Sequence, residues 1–178
     1  MPLTLAVDQI QPAGASYVSW EGVPTGMPLA INVISYSTRT ALSTNAASGS
    51  IAAFGDYFTK LRNDTVLRAT CTVFGAGFYS GNCGVGLVLD YGTANERWDY
   101  GLAYQYDGAW VSSQQTTILM GHSQWTGVSA GRHIMSFGWK PADGGAGNKP
   151  FNYICPNSSD DARNNQMVSR IVVYEVYP

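Results

Sequence analysis

The sequence predicts an all-β protein, a jelly-roll-like β-sandwich of about 8–10 strands. Three observations point there. Apolar and polar residues alternate with period two in short runs. Gly, Asn, Asp and Ser bound those runs, as strand ends require. Charged residues make up only 12% of the 178-residue chain, against about 25% in typical domains. Long helices need Glu, Lys and Arg on their exposed faces, and this chain lacks the supply.

The alternation is clearest at Leu67, Ala69, Cys71 and Val73, which take one face while Arg68, Thr70, Thr72 and Phe74 take the other. Val85, Leu87, Leu89 and Tyr91 repeat the pattern, as do His133, Met135, Phe137 and Trp139. Residues 170–177 are β-branched and aromatic throughout and predict a strand covered on both faces. Further strands are expected near 3–10, 15–20, 29–37, 51–59, 96–106 and 113–121. Gly55-Asp56, Gly81-Asn82, Asp107-Gly108 and Ala142-Asp143-Gly144-Gly145 carry turn chemistry. Helical signal is confined to one short turn near 158–165, where Ser158, Ser159 or Asp160 could cap and the acidic residues suit a helix start. No composition shift divides the chain, so residues 1–178 are expected to form one sandwich domain.

Composition narrows the partners. The formal charge of −2 and the scatter of ten basic residues from Arg39 to Arg170 disfavour nucleic acid, which calls for a basic patch. Met1-Pro2-Leu3-Thr4 opens without the basic and apolar regions of a signal peptide. No apolar run approaches the length of a membrane span. Cys71, Cys83 and Cys155 have no metal-knuckle spacing and read as three free thiols, Cys71 in a strand and Cys83 in a turn. Such thiols fit assembly in a reducing cytoplasm.

Catalytic patterns are weak. His122 and His133, the only histidines, would meet across a hairpin but have no near third ligand, so no metal is expected. Cys83 with His122 is a thiol–imidazole pairing that no motif supports. Asp90 and Asp99 flank the Gly92-Thr93-Ala94-Asn95 turn and are the best placed carboxylates for glycoside cleavage, though exposed hairpins often carry such acids. Gly75-Ala76-Gly77 and Gly84-Val85-Gly86 match no phosphate loop. No cofactor is implied, and the chain is expected not to be an enzyme.

Aromatics are the most suggestive feature. Trp98, Tyr100, Tyr104, Tyr106 and Trp110 fall in one hairpin region. Positions 98, 100, 104 and 106 share a face if no bulge intervenes. Such a face suits glycan or protein contact; the bland alternative is that the rings fill the core or a subunit interface.

A resemblance appears in the C-terminal third. Gly121-His122-Ser123-Gln124-Trp125-Thr126-Gly127 leads to Gly131-Arg132-His133-Ile134-Met135-Ser136-Phe137-Gly138-Trp139. Lys149-Pro150-Phe151 and Pro156-Asn157-Ser158-Ser159-Asp160-Asp161-Ala162-Arg163-Asn164 follow, and the chain closes on Ser169 to Val176. This resembles the closing part of the head-shaped β-modules of tailed-bacteriophage virion proteins, tail-fibre tips among them. It covers residues 120–178. The resemblance implies a jelly-roll-like sandwich, a homotrimer, and a place in the virion after assembly in the host cytoplasm. Fibre tips sit behind a long shaft; no shaft pattern occurs here, which implies direct docking to other virion proteins. Two functions follow. One is a tail or fibre surface protein contacting host glycan. The other is a capsid decoration protein clamping neighbouring subunits through an N-terminal strand and apolar rim. A glycan-degrading enzyme is the minor third.

Overall fold

The computed structural model describes residues 27–42, 51–76, 83–104, 116–141, 153–155 and 167–178. Ten strands lie within them: β1 Pro28–Tyr36, β2 Thr40–Ala41, β3 Ile51–Lys60, β4 Val66–Ala76, β5 Cys83–Leu89, β6 Arg97–Tyr104, β7 Thr116–Trp125, β8 Gly131–Pro141, β9 Tyr153–Ile154 and β10 Ser169–Val176. The strands expected at 3–10 and 15–20 and the helical turn at 158–165 lie outside the described residues.

The registers give the architecture. β5 pairs with β6, β4 with β7, β3 with β8 and β1 with β10, all antiparallel. The chain is therefore one long hairpin with its tip at the turn 90–96. That hairpin is rolled up, so that β10 also pairs with β4 and β8 with β5. The outcome is a first sheet in the order β1-β10-β4-β7 and a second in the order β3-β8-β5-β6, with β9 and β2 extending the first beyond β10 along β4. This is the two-sheet jelly roll that the alternation predicts.

The core lies between the sheets. β4 sends in Leu67, Ala69, Cys71 and Val73, and β10 sends in Ile171 and Val173. Facing them are Val85, Leu87 and Leu89 of β5 and Met135, Phe137 and Trp139 of β8. Tyr36, Phe54 and Phe137 stack in series at 5.1 and 5.8 Å. Each fully buried side chain of this kind contributes about 1.5–3 kcal/mol.

Three expectations need correction. Gly55-Asp56 is not a turn; it lies inside β3, opposite Ser136 and Met135 of β8. A Cβ on Gly55 would overlap Ser136 Oγ and lie 2.6 Å from the Met135 carbonyl oxygen, so this glycine serves close strand packing. Cys83 is not in a turn but opens β5. β10 is not covered on both faces along its whole length: on the outward face Arg170 is exposed and Val172 and Tyr174 are half-buried, while Val176 is buried. The physical reason is that no layer among the described residues covers the outside of the first sheet.

Candidate functional site

The expected aromatic face begins on β6, the edge strand of the second sheet. Trp98 stands opposite Val88, half-buried, and its Nε1 donates to Glu96 Oε1 at 2.5 Å. Tyr100 and Tyr104 also lie in β6. Tyr106 and Trp110 fall outside the described residues. The β5–β6 register gains one residue on β6: Leu102 pairs with Val85 and Asp99 with Leu87. That bulge breaks the even-numbered alternation between Trp98 and Tyr104.

Asp90 and Asp99 do not face each other. The register puts Asp99 beside Leu87, three positions from Asp90 along β5, or about 10 Å. Asp90 is already engaged. Its Oδ2 lies 2.9 Å from His133 Nδ1, and its Oδ1 accepts from Ile134 N at 3.2 Å. His133 Nε2 meets Ser129 O at 2.9 Å, so both ring nitrogens face oxygen acceptors. Glu96 Oε2 accepts from Gly92 N at 2.8 Å. These bonds tie the turn 90–96 to the β7–β8 connection. Ala130 N donates to Asn63 Oδ1 at 2.6 Å and Arg97 Nη1 to Thr126 O at 2.9 Å, which ties in the β3–β4 connection at the same end. A cavity of about 340 Å³ between them is lined by Asp90, Glu96, Arg97, Ser129 and His133. The named acids and His133 there are spent on holding loops.

His122 and His133 do not meet. β7 joins the first sheet and β8 the second, so His122 stands outward opposite Thr70 while His133 stands opposite Phe58. Cys83 and His122 are likewise on strands of different sheets. Among the described residues no group of three metal-ligating side chains gathers. Cys71 and Cys155 are buried free thiols, as expected. Burial pushes the Cys71 thiol up to about 11.

Two features escaped sequence reading. Lys60, Thr65 and Glu175 form a buried polar cluster where the sheets close. Glu175 accepts from Leu61 N at 2.7 Å, Arg62 N at 2.9 Å and Thr65 Oγ1 at 2.6 Å. Lys60 Nζ donates to Thr65 Oγ1 at 2.7 Å and to the Arg62 carbonyl, and lies 3.8 Å from Glu175. Burial lowers the Lys60 pKa, against the pull of Glu175. The usable signal was phase, since Glu175 follows the inward Ile171 and Val173.

The second feature is the outer face of the first sheet. The ladders align Ile31, Tyr174, Arg68 and Gln124 in one row, and Val33, Val172, Thr70 and His122 in the next. Ile31 is 58% exposed, Val33 60% and Met120 71%. Arg68 Nε donates to Gln124 Oε1 at 3.0 Å. A shallow concavity of about 510 Å³ opens beside them, lined by Arg68, Thr70, His122, Gln124, Tyr174 and Pro28 among others. Alternation at 29–37 marks two faces but cannot say that the outward one keeps Ile31 and Val33.

No family model matches the sequence, and no curated protein matches it. Solved structures do. The chain is similar to one in the structure of infectious bursal disease virus Gx strain, at TM-score 0.43 and 9% identity over 90% of this chain and 38% of that one. A chain of the infectious bursal disease virus VP2 subviral particle aligns at 0.39 and 9%, over 89% and 41%. One of the Gt strain aligns at 0.39 and 10%, over 90% and 43%. The present chain spans less than half the length of each.

Proposed function

We propose that this chain is a non-enzymatic structural protein of a tailed-phage virion, exposed on the particle surface at the tail or fibre and contacting host-surface glycan there. The observation that carries a structural role is the outer face of the first sheet, where Ile31, Val33 and Met120 are the most exposed large apolar side chains among the described residues. Faces of this kind mark contact with other proteins. Jelly rolls recur in viral capsid and lectin domains, and residues 120–178 resemble phage virion modules. The non-enzymatic reading is supported by Asp90, Glu96 and His133, whose hydrogen bonds hold loops together. Glycan contact rests on the aromatic run that starts at Trp98. The apolar face equally favours the second reading, a decoration protein clamping capsid subunits.

Immunogold labelling of intact particles separates the two. Label on the tail or fibres supports receptor contact, and Trp98→Ala and Tyr104→Ala should then weaken binding to host polysaccharide. Label over the head supports decoration. Particles without label overturn both readings.

A further inference from the structure

Three properties of the first sheet bear on what covers it. β1 is an edge strand of nine residues without a charged side chain, and its one proline is its first residue. Among the described residues it pairs with β10 alone. Natural edges are normally blunted by Lys, Pro or bulges; here the single irregularity sits at the very start, between Pro28 and Ala30. Beside that edge stand Ile31 and Val33, more than half exposed. Finally, the outward charges of this sheet among the described residues are all positive. Arg68 and Arg170 point out, while the sheet's carboxylate, Glu175, points in. Arg170 pairs with Thr72, so the two arginines lie about 13 Å apart along the strands.

Residues 1–26 have the complementary chemistry. They contain Asp8 and Glu21 and no Lys or Arg. Leu3, Leu5 and Val7 alternate with Thr4, Ala6 and Asp8, and Val18 and Trp20 with Ser19 and Glu21. By sequence this segment is strand-patterned, apolar and acidic, whereas the edge of β1 and its face are apolar and basic. It joins the sheet at Met27, whose carbonyl accepts from Tyr177 N at 3.4 Å, at the margin of the face.

We propose that the outer face of the first sheet and the edge of β1, unpaired among the described residues, receive residues 1–26 of a second copy of this chain. Donor and acceptor surfaces are different patches of one molecule, so two copies can exchange segments reciprocally as a two-fold dimer, or successive copies can link head to tail. The choice of a second copy rests on the proposed reading as an assembled virion protein. Apolar contact at Ile31 and Val33 supplies adhesion, and Arg68 and Arg170 against Asp8 and Glu21 supply orientation.

The test is charge exchange in the full chain, followed by sedimentation equilibrium at low salt and micromolar concentration. One variant reverses the face, Arg68→Glu with Arg170→Glu; the other reverses the segment, Asp8→Lys with Glu21→Lys. Both arginines are exposed, so folding is retained. The wild type should self-associate. Each reversed chain should associate about tenfold or more weakly, and an equimolar mixture of the two should recover. Ile31→Asp with Val33→Asp should abolish association without recovery by either partner. A monomeric wild type overturns the proposal, as do reversed chains that associate like the wild type. Recovery only when all four reversals share one chain also overturns it, because the segment then lies on its own sheet. Particle labelling is independent of these results, so a virion protein without this contact is told apart from a chain that is no virion protein.

Discussion

Glu175 is an acid on the inward phase of a β-branched strand, with its side chain 2% exposed beside a Lys60 side chain at 0%. Its two oxygens receive three donors besides the ammonium, which makes the cluster asymmetric under mutation. Glu175→Ala strands a buried lysine and should cost about 3–5 kcal/mol. Lys60→Met leaves the carboxylate with Leu61 N, Arg62 N and Thr65 Oγ1, and should cost roughly 1–3 kcal/mol. Urea unfolding of both variants checks the order, and equal costs would contradict it. Because the folded Lys60 pKa is lowered from 10.5, the unfolded chain binds more protons between the two values. Stability held back by this lysine therefore rises as pH climbs through the folded pKa toward 10.5. In Lys60→Met that rise should be missing from the urea midpoints. Cys71 gives a second check. With its thiol pushed up to about 11 by burial, it should resist alkylation at neutral pH in the native chain and react once urea unfolds it.

Between elements, Gly55 sets how closely β3 and β8 approach. A side chain there meets the Ser136 hydroxyl, which can be removed, and the Met135 carbonyl, which cannot. Gly55→Ala should destabilise by about 1–3 kcal/mol, and Ser136→Gly in the same chain should restore part of that loss but not all. Full restoration in thermal melts would mean that the backbone yields. The same glycine explains a misreading. Gly55-Asp56 looks like a turn because turn chemistry and close strand packing call for the same residue, and only the partner strand tells them apart. β4, β5 and β8 were legible because their inward residues are almost all apolar. The β6 bulge was not, since an extra residue leaves no mark on the sequence of its own strand. Asp90 and His133 are 43 positions apart, and nothing local announces that the turn and β8 will bring them together.

For the whole molecule, the pairing scheme places the last strand at the centre of the first sheet. β10 lies between β1 and β4, sends Ile171 and Val173 into the core and carries Glu175 to Lys60. A chain ending before Ser169 would leave β1 without its partner among the described residues and open the sandwich along its middle. It would also leave Lys60 buried without its carboxylate. The exposed core and the lost ladders together exceed the roughly 5–15 kcal/mol that holds a domain folded. Such a chain should show neither a β-sheet circular dichroism spectrum nor a cooperative melt. A cooperative melt would mean that the second sheet and β4 with β7 form a stable unit alone, and that the roll closes only as a late step. The rolled hairpin argues for the first outcome. Its outermost pair, β1 with β10, is widest apart in sequence, yet β10 also reaches inward to β4, so the layers are locked by β10.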